Sequence, residues 1–196
     1  MATGEPLAGV ILCGGSSSRM GADKEHIVVS GLAMVEWVTR SLASVGADPI
    51  VLVGGTSLRG EARRRVADRV RGSGPLGGIV AALDELNSPL LVVPCDIPAV
   101  SSLHLLPIIS ASRAVPNVDA VLAHSAHGVE PLLGIYRPSA RVSLAATYNA
   151  GTRSPMRALA ALRWVSVSLP GFSAPSNVNT PEQLADVTRH LADSQA

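Results

Sequence analysis

Short apolar segments alternate with segments of helical periodicity along the first half of the chain. Three continuous apolar runs, Leu7–Cys13, Pro49–Val53 and Pro89–Val93, are rich in branched residues and predict strands buried on both faces of a sheet. Between them, Met34–Val45 and Leu76–Leu86 repeat apolar residues every three or four positions, which predicts amphipathic helices. The order strand, helix, strand, helix, strand is typical of a mostly parallel sheet covered by helices.

The second half of the chain is less regular. Its patterns predict strands over Asp119–His124, Leu132–Tyr136 and Trp164–Leu169, and helices over Arg157–Leu162 and Glu182–Leu191. No internal repeat, long linker or shift in composition marks a second domain. We therefore predict one three-layer α/β/α domain over residues 1–196, with a Rossmann-like, mostly parallel sheet.

Composition narrows the class of protein. The chain has 196 residues, of which 47% are apolar and 16% charged, which excludes an intrinsically disordered protein. A formal net charge of +1 excludes a polycationic nucleic-acid binder. The longest uncharged stretch, Trp164–Pro181, is interrupted by prolines and glycine and does not predict a membrane span. With no basic leader before Leu7, the expectation is a cytoplasmic protein that binds neither nucleic acid nor membrane.

The two cysteines are too few and too far apart in sequence for a disulfide framework. Cys13 and Cys95 both end apolar runs, so we predict buried thiols, with a disulfide or redox pair as the alternative.

The basic residues are strongly biased toward arginine. Lys24 is the single lysine among 16 basic residues. Arginines cluster between Arg59 and Arg71, which predicts a solvated helix or loop, or else a surface for an anionic substrate or an acidic partner.

A glycine-rich segment follows the first predicted strand. It carries Gly14 and Gly15, three serines, Arg19 and then Lys24. Glycines let backbone N–H groups converge on an anion, an arginine can fork onto phosphate oxygens, and a lysine is a compact point charge. The spacing matches neither a Walker loop nor a dinucleotide fingerprint. The segment therefore predicts a phosphate site at the carboxyl end of a buried strand.

A second candidate lies after the third predicted strand. Asp96 occupies a turn between Pro94 and Pro98, where a hard carboxylate can hold Mg²⁺ against a triphosphate. The alternative is that Asp96 caps a helix beginning near Ser101.

Five segments together resemble a known family. Residues 12–24 (LCGGSSSRMGADK) resemble the signature of nucleotidyltransferases with a GT-A-like fold. Residues 74–78 (GPLGG), 94–98 (PCDIP), 130–136 (EPLLGIY) and 177–181 (NVNTP) occur in the family's order, and the chain is most similar to molybdenum cofactor guanylyltransferases. The resemblance implies a nucleotide-binding half over about residues 1–100 and an acceptor half over about residues 101–191. It also implies transfer of GMP from Mg²⁺-bound GTP to molybdenum-bound molybdopterin, with release of pyrophosphate.

The resemblance also implies roles for single residues. Gly14, Gly15 and Arg19 would hold the β- and γ-phosphates, Lys24 would act near the α-phosphate, and Asp96 would bind the metal. Leu12 and Cys13, with Asp68, would contact the nucleotide. The acceptor-side candidates are Glu130, Tyr136, Arg153, Asn177 and Asn179. For the asparagine pair, helix capping at Thr180-Pro181 is a further interpretation.

Two other functions are compatible with these motifs. One is the related cytidylyltransferase of the same cofactor, or another small-molecule nucleotidyltransferase. The other is a non-catalytic protein that binds a nucleotide or cofactor. Molybdenum-insertion proteins and acceptor molybdoenzymes are the partners that the resemblance implies.

Overall fold

The computed structural model describes residues 6–13, 26–55, 64–66, 74–169 and 177–193. The strands are β1 (Ala8–Leu12), β2 (Val28–Val29), β3 (Leu32–Ala33), β4 (Ile50–Val53), β5 (Arg64–Val66), β6 (Leu90–Pro94), β7 (Ala120–Ser125), β8 (Gly128–Tyr136) and β9 (Trp164–Ser168). The helices are α1 (Met34–Ser44), α2 (Gly74–Leu86), α3 (Ser102–Ala114), α4 (Arg141–Asn149), α5 (Pro155–Ala158) and α6 (Pro181–Asp193). Short 3₁₀ turns, Pro138–Ala140 and Leu159–Ala161, precede α4 and follow α5.

Within the described ranges, seven strands form one sheet in the order β5-β4-β1-β6-β8-β7-β9. β5, β4, β1 and β6 pair in parallel, β8 is antiparallel to both β6 and β7, and β9 is parallel to β7. Six strands therefore run one way and β8 runs the other, which confirms the mostly parallel sheet. β2 and β3 form a separate hairpin.

Alternate residues of the central strands face two different cores. Ile11 and Val93 pack with residues of α1 and α3 on one face of the sheet. Val10 and Val92 pack with residues of α2, α4 and α5 on the other face. The molecule is thus a helix–sheet–helix sandwich, as the sequence predicts. A third, smaller core joins α6 to the hairpin.

The early predictions are confirmed at β1, β4, β6, α1 and α2, and the later ones at β7, β8, β9 and α6. The single helix predicted over Arg157–Leu162 is wrong: this region divides into α5 and a 3₁₀ turn. The arginine-rich region also differs from the helix or loop predicted for it, because Arg64–Val66 forms a parallel strand on β4. The other arginines of that cluster lie outside the described residues.

A bulge interrupts β8 where the sequence carries Pro131. Leu122 of β7 pairs with Gly134, but the next residue, Ala123, pairs with Glu130. Proline lacks a backbone N–H, so it is tolerated where the ladder is broken. Strand pairing resumes at Gly134, where the backbones of β8 and β7 approach closely. An added Cβ would lie 2.5 Å from the Val121 carbonyl oxygen and 2.9 Å from the Leu122 Cα.

Asp119 ties three chain segments together just before β7. Its carboxylate accepts hydrogen bonds from the Arg163 guanidinium (3.0 and 3.2 Å), the Arg163 backbone N–H (2.9 Å) and the Ser139 hydroxyl (2.7 Å). These hydrogen bonds, led by that of the Arg163 side chain, lower the pKa of Asp119 from 3.8 to about 2 despite its burial. The ion pair therefore joins the start of β7 to the start of β9, and the Ser139 hydrogen bond adds the turn that follows β8.

We predict that Gly134→Ala destabilises the fold. The new methyl group would meet backbone atoms of β7, which cannot move without breaking the sheet, so the free energy of unfolding should fall by about 2–3 kcal/mol. Urea denaturation measures this loss. Gly9→Ala in β1 is the matched control, because its Cβ would meet only side-chain atoms at 3.2–3.3 Å. A loss at Gly134 no larger than that at Gly9 would contradict the prediction.

We predict that Asp119 stabilises the fold in a pH-dependent way. Because its pKa is depressed in the folded chain, the stabilisation is present above about pH 4 and is lost as the pH falls toward 2. Asp119→Asn should therefore cost on the order of 1–2 kcal/mol at pH 6, less than the full shift because Arg163 is exposed, and clearly less near pH 2.5.

Denaturant unfolding of both proteins at the two pH values tests this difference. Asp186→Asn is the control, since the Asp186–Arg189 ion pair on α6 is exposed on both sides and should contribute little at either pH. An Asp119→Asn cost that stays constant with pH would count against the assignment.

Candidate active site

The carboxyl ends of three parallel strands meet at one edge of the sheet. The backbone N–H of Cys13 donates to the Val53 carbonyl (2.8 Å), and that of Cys95 donates to the Leu12 carbonyl (3.0 Å). These two hydrogen bonds continue the ladders of β1 with β4 and of β1 with β6 beyond the strands. Leu12, Cys13 and the turn that carries Asp96 are therefore brought together, at the edge where open α/β sheets bind ligands.

The glycine-rich segment departs from this edge. Gly14, Gly15, Arg19 and Lys24 lie outside the described residues, as does Asp68. The described chain leads into the segment at Cys13, which is buried, and resumes at His26. The Ile27 carbonyl then accepts a hydrogen bond from the Met34 backbone N–H (2.9 Å) at the start of α1. Both ends of the segment are thus attached to packed structure.

Cys13 and Cys95 confirm the prediction of buried thiols. Their exposed fractions are 6% and 4%, and neither forms a disulfide. Both belong to the core on the α1 and α3 face of the sheet. They fill space beneath the carboxyl edge.

Asp96 lies in the turn after β6 and is half-buried. It does not cap α3, because the N-cap of that helix is Ser101, whose backbone N–H donates to His104 Nδ1 (3.0 Å). The capping interpretation of Asp96 is therefore wrong. Burial, with a smaller contribution from the nearby His190, lowers the pKa of His104, which suits a neutral imidazole acceptor at this cap.

The donor set around Asp96 suits a cation that arrives with a phosphate ligand. In the part of the chain that the structure describes, no group of three or more His, Cys, Asp or Glu side chains could hold a metal by itself. Mg²⁺ is commonly bound by one or two carboxylates, with substrate phosphates and water completing the octahedron. Among the described residues, the Asp96 carboxylate fits that pattern, whereas a structural metal site would need more ligands.

The asparagine motif contacts the Asp96 turn directly. The Val178 backbone N–H donates to the Asp96 carbonyl (2.7 Å), and the Val178 side chain is fully buried in the third core. Asn177 and Asn179, on either side of Val178, are exposed. The Gln183 backbone N–H donates to the Thr180 hydroxyl (3.3 Å), so this segment also caps α6. Capping and placement beside Asp96 therefore coexist.

Two further acceptor-side candidates, Glu130 and Tyr136, lie on β8. Glu130 is half-buried beside the β7–β8 turn, and its Oε1 accepts a hydrogen bond from the Ser125 hydroxyl (2.7 Å). The Tyr136 side chain is 1% exposed; its hydroxyl donates to the Pro131 carbonyl (2.6 Å), and burial raises its pKa. Tyr136 thus holds the β8 bulge in this conformation, and its predicted contact with a substrate stays a prediction that this geometry does not favour.

Arg153 lies beside the second glycine motif. A Cβ on Gly74, at the start of α2, would lie 4.0 Å from the Arg153 carbonyl oxygen. The exposed Arg153 guanidinium stacks on the Tyr148 ring at 4.1 Å from its centroid and donates to the Tyr148 carbonyl (2.8 Å). The stacking and the hydrogen bond hold the cationic group against Tyr148 of α4.

Sequence reasoning missed Gln183. Its side-chain Oε1 accepts hydrogen bonds from the backbone N–H groups of Asn179 (2.8 Å) and Thr180 (3.2 Å). A signal was available, because Thr180 followed three positions later by glutamine is a capping-box pattern.

Relatives with this fold are found by sequence and by structure. A probable molybdenum cofactor guanylyltransferase from Opitutus terrae is 34% identical over 82% of this chain and 81% of its own length. A molybdenum cofactor guanylyltransferase from Pseudomonas syringae is 32% identical over 94% of both chains.

Two solved structures share the fold. Molybdopterin-guanine dinucleotide biosynthesis protein A from Archaeoglobus fulgidus superimposes with a TM-score of 0.76 at 24% identity, covering 95% of this chain and 99% of its own. A Mycobacterium tuberculosis protein crystallised in complex with manganese has a TM-score of 0.69 at 16% identity, covering 94% of this chain and 98% of its own.

Of the helices that the structure describes, none has the length and apolar character needed to cross a bilayer.

The family itself is identified over most of the chain. The model of the MobA-like NTP transferase domain matches residues 9–165. This range runs from β1 to the start of β9 and includes Cys13 and Asp96 at the carboxyl edge of the sheet. The chain belongs to the family of MobA-like NTP transferase domains.

Proposed function

We propose that this chain transfers GMP from GTP to molybdenum-bound molybdopterin and releases pyrophosphate. The observation that carries the proposal is the hydrogen bond from Val178 to the Asp96 carbonyl, because it joins the metal motif to the acceptor-side asparagine motif at one edge of the sheet. Full-length relatives that bear the name molybdenum cofactor guanylyltransferase support the same substrates.

The proposed reaction requires little covalent chemistry from the protein. The phosphate monoester of the acceptor is already nucleophilic at neutral pH, so it can attack the α-phosphate of GTP without a general base. One P–O bond forms to the acceptor oxygen, and the bond to the departing pyrophosphate breaks. Catalysis then depends on positioning and on stabilising the developing negative charge.

The chain's own residues divide this work. Backbone N–H groups of Gly14 and Gly15, with Arg19, hold the β- and γ-phosphates. Lys24 neutralises charge near the α-phosphate, where a compact ammonium approaches more closely than a guanidinium. Asp96 holds a divalent cation, which we assign as Mg²⁺ and which would polarise phosphate oxygens.

Guanine recognition is assigned to the region around β1. The base presents N1–H and N2–H donors, which need acceptors. We assign these to Asp68 and to backbone groups of Leu12–Gly14. Gly54 and Gly55, both with positive φ, turn the chain away directly after β4 and leave backbone rather than a side chain at this point.

The acceptor side would be formed by residues on the other half of the chain. Arg153 offers a cation for the molybdopterin phosphate, and Asn177 and Asn179 offer amide groups beside Asp96. Glu130 completes the proposed set, whereas the buried Tyr136 supports β8. Molybdenum is part of the substrate in this reaction and is not a resident metal of the protein.

Nucleotide choice tests the proposal. With Mg²⁺ and molybdenum-bound molybdopterin, we expect pyrophosphate release with GTP and at least about tenfold less with CTP or ATP, because hydrogen-bonding sites reject bases that leave buried groups unpaired. An enzyme-coupled pyrophosphate assay measures the rates, and mixtures without acceptor are the control. Faster release with CTP would favour the cytidylyltransferase, and no release with any nucleotide would favour the binding protein.

Lys24 provides a second test. Lys24→Ala should lower the transfer rate by about 10²- to 10³-fold, the usual loss for a group that stabilises charge in a transition state. Lys24→Arg keeps the charge and should still lower the rate strongly, because the wider guanidinium cannot take the position of the ammonium. Single-turnover transfer from labelled GTP measures both.

Arg40→Ala, a change at an exposed position on α1, is the matched control and should leave the rate unchanged. Circular dichroism checks that each variant folds. Near-normal transfer by Lys24→Ala would overturn the role given to this lysine.

A further inference from the structure

The third core sets the position of the acceptor-side segment. Its buried members come from three parts of the chain: Val29 and Met34 at the hairpin and α1, Val178 before α6, and Val187 and Leu191 on α6. Ala99, from the Asp96 turn, packs against the same core. Residues from both sides of the candidate site therefore share one small apolar cluster.

Side-chain hydrogen bonds attach this core to the rest of the molecule. The Ser30 hydroxyl, at the tip of the hairpin, donates to the Thr188 carbonyl of α6 (2.9 Å). The Trp37 indole N–H of α1 donates to the Val29 carbonyl (2.8 Å). α6 is thus held against the hairpin, and the segment before it is held against the Asp96 turn by Val178.

Gln183 connects α6 to the asparagine motif by hydrogen bonds. Its Oε1 accepts from the backbone N–H groups of Asn179 and Thr180, at 2.8 and 3.2 Å. One residue before Asn179, the Val178 N–H donates to the Asp96 carbonyl at 2.7 Å. Three successive backbone N–H groups are thus bound, one to the Asp96 turn and two to a single side chain of α6.

We infer that Gln183 is a positioning residue that fixes Asn179 relative to Asp96, and thereby sets the fit of the acceptor substrate. The inference rests on the proposed function. Two bound N–H groups on adjacent residues leave the backbone of Asn179 and Thr180 little freedom, so the Cα–Cβ bond of Asn179 keeps a constant direction relative to the Asp96 turn. The nucleotide side is attached through β1, whose residues belong to the two large cores.

Gln183→Ala should therefore affect one substrate more than the other. We expect the KM for molybdopterin to rise about five- to tenfold, the equivalent of a lost cap, and the KM for GTP to change less than about twofold. Gln183→Glu keeps an oxygen for the same two N–H donors, so its KM for molybdopterin should lie close to the wild-type value. Steady-state pyrophosphate release with each substrate varied in turn measures the separation.

Asp186→Ala is the matched control. Asp186 lies on α6 outside the third core, and its exposed side chain pairs with Arg189 of the same helix, so this variant leaves the core and the hydrogen bonds to Asn179 and Thr180 in place. It should leave the KM for molybdopterin unchanged. An equal rise in both alanine variants, no rise in Gln183→Ala, or no recovery in Gln183→Glu would each overturn the inference.

Hydrogen exchange by NMR separates this inference from the proposed function. In Gln183→Ala the amides of Asn179 and Thr180 should exchange at least about tenfold faster, while amides in the middle of α6 keep their rates. If the wild-type chain transferred no nucleotide, the proposed function would fail, and the exchange rates would still decide whether Gln183 fixes this segment. Unchanged exchange at both amides would show that it does not.

Discussion

In-register pairing of β1 with β6 is the constraint on which the site depends. Five residue pairs, from Ala8 with Leu90 to Leu12 with Pro94, align the two strands in parallel, and the Cys95 N–H extends the ladder to the Leu12 carbonyl. Parallel strands end at the same edge of a sheet, so Cys13, which leads into the glycine-rich segment, and the Asp96 turn lie side by side. A slip by one residue would turn every side chain of β1 to the opposite face. Since both faces of β1 are buried, such a slip would bring Gly9, which has no side chain to fill space, into the wrong core.

The parts of the fold that sequence predicts well are those whose burial is uniform. β1, β4 and β6 are buried on both faces and appear as continuous apolar runs, and α1 carries one regular apolar face. The parts that sequence reasoning missed depend on partners distant in sequence. α4 buries only Leu144 and is otherwise too polar to show a helical period. β2 and β3 have two residues each, and the direction of β8 has no signature in the sequence at all.

The site residues also divide into those that the sequence predicts and those that it does not. Asp96 and Cys13 were predictable because each comes after a buried run, and a strand end is where an α/β sheet binds ligands. The contact between Val178 and Asp96 was not predictable from spacing, because it depends on how α6 packs against the hairpin. Tyr136 shows where a motif misleads. A tyrosine in a motif suggests a substrate contact, yet the Tyr136 ring is buried and its hydroxyl donates to the Pro131 carbonyl in the β8 bulge. Motif membership alone does not distinguish a residue that contacts a ligand from one that supports the strand.

Under the proposed function, the two substrates depend mainly on different cores. The donor side depends on the large cores on either side of the sheet, through β1 and β4. The acceptor side depends on the small third core, through Val178 and α6. Asp96 connects the donor side with the acceptor side, since its turn continues β6 and its carbonyl accepts the hydrogen bond from Val178. A carboxylate at this junction would hold Mg²⁺ together with triphosphate oxygens and water, the usual ligands of this cation in nucleotide sites. The cation would therefore be held best when the nucleotide is present, at the point where the acceptor phosphate must approach.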